Sequence, residues 1–233
     1  MTPPPERPHL SPYHLITLLF CVLLSACAAD FNKIRIGQDV YPDLKTLQIN
    51  HVFGRDYSTE VYDRRSNVTI LAIHGGQIEQ GTSGIARRIA DTGFNLYLFE
   101  GWLGKNSRRL HLTSSRFEDP PAIAMTTSSL LAVSIHGQAD KGETVCIGGT
   151  NENIKQKIAG NLSMAGFKVE IPCKRLPGKS PENIANKAKK GGVQLEITLN
   201  LLEKLEEDYE YLSKFTDAVR SAIIDTIKTE NGN

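Results

Sequence analysis

Hydrophobic positions along the chain follow two alternating periods. Short apolar, β-branched runs end at glycines, and between them apolar residues recur every three or four positions. Residues 68–73 (Val-Thr-Ile-Leu-Ala-Ile) form one such run, and it stops at His74, Gly75 and Gly76, which predicts a buried strand. Residues 82–90 then read as a helix with a hydroxyl cap and an inner face of Ile85, Ala86, Ile89 and Ala90, closed by Gly93. Residues 94–99 alternate as a second strand. Strand, helix and strand within about thirty residues match a βαβ unit and imply parallel pairing. Residues 130–135 predict a third buried strand, ended by His136 and Gly137, so the design of the first strand is repeated.

The second half continues the pattern. A strand at 144–147, a Gly148-Gly149 turn, a helix at 151–165 carrying Ile154, Ile158 and Leu162, and a strand at 167–171 make another strand-helix-strand unit. Residues 193–198 alternate strictly, with Val193, Leu195 and Ile197 facing one way and Gln194, Glu196 and Thr198 the other. Helices at 199–205 and 209–228 follow. Shorter candidates are strands at 33–36, 60–62 and 110–113, a helix from Pro121 through Met125, and a short helix within 182–190, with a Gly-rich loop over 100–109. The fold class expected is α/β: a single domain with a mixed, largely parallel sheet flanked by helices.

Composition adds limits. The 233 residues are 40% hydrophobic and 23% charged, which suits one sizeable core, and the net charge of +1 gives no basis for a nucleic-acid partner. The first residues stand apart: 1–12 are proline-rich, 15–24 are apolar but too short to span a bilayer, and Leu24-Ser25-Ala26-Cys27 follows. That order resembles a bacterial lipobox. It divides the chain into a lipoprotein signal peptide (1–26) and a catalytic domain (27–233), with Cys27 lipidated as an anchor and the protein exported, periplasm-facing and held at the outer membrane. A plain secretory signal cut near Ala26 or Ala29 also exports it. Cys146 and Cys173 remain. If their strands run parallel, a three-residue offset of about 10 Å exceeds the reach of a disulfide, so the pattern leaves the bridge open. Two lone cysteines without C-x-x-C do not make a zinc site.

Chemistry is concentrated where strands end. His74 with Glu79 five residues later, His136, and Glu196 fall at the carboxyl ends of strands or on one strand's polar face, and ligands of open α/β sheets bind at that edge. Two histidines and a carboxylate are the open catalytic zinc set, in which the metal lowers the pKa of a water and a second carboxylate, here Glu196, takes its proton. Spacing equally admits His74 and His136 as ordinary turn histidines. Glu196 in an apolar strand is costly to bury unpaired, unless its strand lies at a solvated edge. A serine-hydrolase reading of His74-Gly75-Gly76 lacks the G-x-S-x-G elbow it needs, and Gly148-Gly149 lacks the rest of a nucleotide fingerprint. His51 has no partner at metal spacing.

Four blocks carry a family resemblance: 72–83 (A-I-H-G-G-Q-I-E-Q-G-T-S), 110–117 (L-H-L-T-S-S-R-F), 134–137 (S-I-H-G) and 192–198 (G-V-Q-L-E-I-T). They are similar, in order, to the poly-γ-glutamate hydrolase family of phage-type zinc peptidases. The resemblance implies a zinc-carboxypeptidase-like fold, zinc held by His74, Glu79 and His136, and Glu196 as general base. It also implies substrate contacts from Arg116 and His111, both in the second block. Arg87, Arg108, Arg109 and Lys105 are further cations that could hold a carboxylate-bearing substrate. The function expected is zinc-dependent hydrolysis of γ-glutamyl amide bonds, in poly-γ-glutamate or in the γ-linked peptides of a cell wall. The alternative is a lipid-anchored protein that binds anionic cell-wall peptides without hydrolysing them.

Overall fold

A computed structural model describes residues 39–231. The lipobox with Cys27 and the candidate strand at 33–36 lie outside the described residues. In chain order the elements are α1 (Leu44–Asn50), β1 (Tyr57–Tyr62), β2 (Val68–Gly76), α2 (Thr82–Ala90), β3 (Asn95–Gly101), a 3-10 helix (Gly104–Leu110), α3 (Pro120–Ser128) and β4 (Leu131–Gln138). There follow β5 (Thr144–Gly149), α4 (Glu152–Met164), β6 (Lys168–Glu170), a 3-10 turn (Ile184–Lys187), β7 (Gly192–Thr198), α5 (Leu199–Glu207) and α6 (Tyr209–Asn231).

The seven strands form one sheet in the order β1-β3-β2-β4-β7-β5-β6. The centre, β3-β2-β4-β7, is parallel; β1 and β5 join it antiparallel, and β6 runs parallel to β5. This is the mixed, largely parallel α/β arrangement expected from the periodicity. Alternation along the strands divides the core in two. Val133, Ile135, Leu195 and Ile197 pack with Ile85, Ile89, Ile158, Leu202 and Phe215 of the helices on one face. On the other face Leu71, Ile73, Tyr97, Phe99 and Ala132 pack with Leu44, Leu47, Phe117 and Met125. From β2 the chain passes through α2 to β3 on one side, then through α3 to β4 on the other. The crossing helices lie on opposite faces, so the ends of β2 and β4 form the switch point where such sheets bind ligands.

Three local expectations are corrected. Residues 39–56 contain a helix, α1, where only turns were expected; the Asp43 side chain caps it by accepting from the Thr46 amide, and Leu44 and Leu47 bury its inner face. Residues 110–113 are not a strand. Leu110 and Leu112 are buried as alternation requires, but the segment runs extended across the mouth of the site without a ladder partner. Cys146 and Cys173 are disulfide-bonded, with Cα atoms 4.9 Å apart. The chain turns back after β6, and the Cys173 amide donates to the Ile147 carbonyl at 3.0 Å, which removes the offset that parallel strands alone would impose.

Candidate functional site

Residue 74 owes its position to an irregularity. Ala72 pairs with Leu98 and Gly75 with Glu100, so Ile73 and His74 together oppose the single residue Phe99. Regular alternation from Ile70 and Ala72 would send the His74 side chain to the α2 side of the sheet. The bulge instead turns it to the face that carries His136 and Glu196. The chain then closes a tight turn: the Gln77 amide donates to Gly101 O (2.9 Å) and the Glu79 amide to His74 O (2.8 Å), which brings the Glu79 carboxylate back over the strand it has just left. Glycine is needed at both turn positions. A Cβ on Gly75 would lie 2.0 Å from Ser83 Oγ, and Gly76 sits at φ +62° against the Gly101 backbone.

Four buried or part-buried side chains meet there. His74 Nδ1 lies 3.1 Å from Glu79 Oε1 and 3.1 Å from His136 Nδ1, and His136 Nδ1 lies 3.6 Å from Glu79 Oε2. The outer nitrogens are hydrogen-bonded away from the cluster. His74 Nε2 donates to Leu112 O (2.7 Å), so a neutral His74 presents its Nδ1 lone pair to the cluster, while His136 Nε2 shares a hydrogen bond with the hydroxyl of Ser134 (2.7 Å), which can act as donor or acceptor. Two imidazole nitrogens and a carboxylate therefore face one another at 3.1–3.6 Å, a cluster that is held together by a proton or a cation among them. Nitrogens of a tetrahedral zinc stand about 3.3 Å apart, close to the spacing seen. The donor set fits a metal ion.

His111 is the fourth group. Its Nδ1 donates to Asp39 Oδ1 (2.8 Å), and its Nε2 lies 3.7 Å from Glu79 Oε1, so His74, Glu79 and His111 also bring ligand atoms within 4.8 Å of one another. Ring orientation separates the two histidine pairs. His74 and His136 meet edge-on at 63°, whereas His111 stacks on His74 at 4.0 Å and 30°. In-plane lone pairs of near-parallel stacked rings do not converge on one ion, and those of rings meeting at an edge do. His136 thus meets His74 edge to edge beside Glu79, and His111 stacks on His74 at the side of the cluster.

Glu196 pairs in register with His136 across β4 and β7. β7 lies between β4 and β5, so the solvated-edge explanation of its carboxylate fails. Gln194 Nε2 donates to Glu196 Oε1 at 2.9 Å and to Leu176 O at 3.1 Å, while Asn183 Nδ2 donates to Gln194 Oε1 at 2.7 Å. Burial pushes the Glu196 carboxyl up to about 7; the Glu79 charge adds to this and His136 opposes it. Glu79 behaves oppositely: burial would raise it, but the facing imidazoles of His74 and His136 hold it well below the usual carboxylate range. Two carboxyls at one site are thus pushed apart, one fixed as an anion and one poised to exchange a proton. Burial and the neighbouring His74 lower His111 to about 4, against the hydrogen bond to Asp39.

The cations sort by distance. Arg108 Nη1 reaches Glu79 Oε1 at 3.4 Å and is the guanidinium nearest the cluster. Arg116 lies 3.8 Å from Asp39 Oδ2 and is turned to solvent, while Arg87 is held by Glu60 and Glu100. Asp39 is the residue that sequence reasoning missed. It accepts from His111 and from the Thr113 amide (2.8 Å), contacts 72 and 74 residues away with no local signal.

Comparison with known proteins places the chain in a family. A family model described as poly-gamma-glutamate hydrolase matches residues 41–222. Two Bacillus subtilis (strain 168) proteins are each 36% identical to the chain. UPF0714 protein YndL aligns over 172 residues, 72% of this chain and 68% of its own length. SPbeta prophage-derived UPF0714 protein YoqZ aligns over 207 residues, 87% and 72% respectively. Among solved structures, a bacteriophage poly-gamma-glutamate hydrolase superposes with a TM-score of 0.79 at 28% identity, covering 82% of this chain and 100% of its own. A zinc-free apo form of YndL superposes with a TM-score of 0.75 at 31% identity, covering 81% and 99%.

Proposed function

The chain belongs to the poly-γ-glutamate hydrolase family, and from that premise we propose that it is a zinc-dependent hydrolase of γ-glutamyl amide bonds. The observation that carries the proposal is the cluster of His74 Nδ1, His136 Nδ1 and the Glu79 carboxylate, two imidazole nitrogens and a carboxylate within 3.1–3.6 Å of one another. Those three residues would hold the zinc, whose Lewis acidity polarises the scissile carbonyl and acidifies the attacking water. Everything else is supplied by the chain. Glu196, raised by burial to about 7, accepts the proton of the attacking water and returns it to the departing amine. Gln194 holds Glu196 Oε1, and Oε2 carries no protein hydrogen bond among the described residues. Leu112 O and Ser134 Oγ hold the outer nitrogens of the two imidazoles and so orient the rings. Asp39 orients His111 at the edge of the cluster, and Arg108 offers a cation to a substrate carboxylate beside Glu79.

The proposal extends to the compartment. A disulfide between Cys146 and Cys173 is the chemistry of an exported protein, in keeping with the lipobox-like sequence before Cys27. Incorporation of a palmitate analogue that disappears in Cys27→Ala supports the anchor; labelling that persists in the variant refutes it. For the activity, the purified protein is stripped with chelator and incubated with poly-γ-glutamate with and without added zinc, and polymer length is read. Shortening restored by zinc is expected. Zinc-loaded protein that leaves both the polymer and short γ-glutamyl peptides intact would overturn the reading.

A further inference from the structure

A second cleft begins where the candidate site ends. In register, His136 stands opposite Glu196, and Glu196 opposite Cys146, which faces Glu170; one step outward, Gln138 stands opposite Thr198, and Thr144 faces Lys168. Side chains directly opposite one another across a sheet share a face. The Thr144 amide donates to Thr198 Oγ1 at 2.9 Å, which joins that outer row across β5 and β7. The row from Gln138 to Lys168 is therefore the floor of a groove across β5 and β6 whose lining begins at Gln138 and Thr198, each two residues along its strand from His136 or Glu196. The cleft over this floor has a volume of about 700 Å³ and is walled by the segment after β6, which the Cys146–Cys173 disulfide ties to β5.

Its charge is distinctive. Lys141, Lys168, Lys174 and Arg175 line the cleft against two carboxylates, Asp140 and Glu170. Asp140 is already neutralised by Arg175 at 2.7 Å, and Glu170 Oε1 accepts the Lys174 amide at 3.3 Å. Arg175 Nη2 also donates to Gln138 Oε1, and Gln138 Nε2 to Glu196 O, so the cationic wall is hydrogen-bonded to the strand that bears Glu196. Lys141, Lys168 and Lys174 are exposed and have no carboxylate within 4 Å among the described residues.

We propose that this cleft is a subsite for a polyanionic chain, binding free carboxylates of the substrate one to two repeats away from the bond cut beside Glu196. The inference rests on the γ-glutamyl reading above. A γ-linked glutamyl chain carries one free α-carboxylate about every 6 Å when extended. Lys168 lies two strands across and two residues along from Glu196, about 12 Å, or close to two repeats. Such a subsite prefers polymer over dipeptide and places the cut inside a chain whose next residues remain bound.

The test separates binding from cleavage. Fluorescein-labelled poly-γ-glutamate is titrated by anisotropy at low ionic strength against three full-chain proteins. All carry Glu196→Gln so that the polymer survives; one adds Lys168→Glu and Lys174→Glu, and a control adds Lys214→Glu and Lys228→Glu, exposed lysines of α6. Removing two exposed ion pairs and creating two repulsions weakens binding about tenfold or more, while the control with the same net charge shifts less than about twofold. Equal weakening in both variants, an unchanged cleft variant, or no polymer binding at all overturns the subsite. Cleavage by the protein with Glu196 intact is followed alongside. Lysine-dependent binding without cleavage sinks the hydrolase reading and leaves the subsite standing, whereas cleavage with charge-independent binding sinks the subsite alone.

Discussion

Replacing Gln194 by leucine tests whether the base is positioned by the protein or merely sits beside the cluster. Gln194 is buried and uses its amide fully: it donates to Glu196 Oε1 and Leu176 O, and accepts from Asn183 Nδ2. Leucine keeps the bulk and removes all three bonds. The buried Asn183 amide loses its partner at about 1–3 kcal/mol and the part-buried Leu176 carbonyl at less, so stability should fall by roughly 1–4 kcal/mol. Domains of this kind hold about 5–15 kcal/mol, so the variant stays folded at moderate temperature. The bond to the Glu196 carboxylate is charge-assisted and contributes about 1.5–3 kcal/mol. If it serves to hold Oε1 so that Oε2 meets the water, turnover drops about 10- to 150-fold with KM little changed. Urea unfolding and kcat are measured on the same zinc-loaded preparation, at a temperature where unfolding is below detection. A stability loss with undiminished kcat would show that Gln194 serves only the fold. No change in either would mean that the hydrogen-bonded chain from Asn183 to Glu196 does not exist.

Glu196→Gln should retain zinc, since Glu196 is not among the converging donors, and lose about 10²- to 10⁴-fold in kcat; turnover within a few-fold of the parent protein would remove it as base. Ser134→Ala removes the hydrogen-bond partner of His136 Nε2 and should lower zinc affinity about 10- to 100-fold in a chelator competition, with an unchanged affinity refuting a role for Ser134 in orienting the ring. Cys146→Ser with Cys173→Ser opens a loop closed over a separation of 27 residues. The chain-entropy estimate is about 3–4 kcal/mol, or roughly 9 °C in Tm for a domain of this size, and a shift under about 2 °C would contradict it.

The chain's own pattern revealed most of the frame. Central strands showed as apolar runs because both their faces are covered, and α2, α4 and α6 showed as helical stripes because each buries one face. What stayed hidden was set by partners distant in sequence. Leu110 and Leu112 alternate with His111 and Thr113, and their burial is real. The ladder is missing because the backbone there bonds to side chains instead: Leu112 O accepts from His74, and the Thr113 amide donates to Asp39. Alternation reports which side chains are covered and not what the backbone pairs with. The disulfide was hidden for a related reason, since a strand offset cannot foretell that the chain turns back after β6.

The position of His74 joins these points. Periodicity locates the histidine at a strand end but puts it on the α2 side, away from His136 and Glu196. Only the slip between Ala72 and Gly75 sends it to their side, and no residue type encodes that slip by itself. Its sequence trace is indirect: Gly75 must be small because Ser83 Oγ occupies the space of its Cβ, and Gly76 must accept a positive φ. The glycines after His74 thus belong to the histidine-glutamate cluster as much as its side chains do. They let β2 end in a bulge and a turn tight enough for His74 and Glu79, five residues apart, to present a nitrogen and an oxygen 3.1 Å from one another. At the matching end of β4 no bulge is needed, because alternation from Ser134 already places His136 on the correct face. Gly137 there has a different task, its amide donating to Glu79 Oε2 at 2.9 Å and holding the carboxylate that bridges the two strand ends. The same histidine-glycine pair therefore solves two different geometric problems, and only the register shows which problem each one solves.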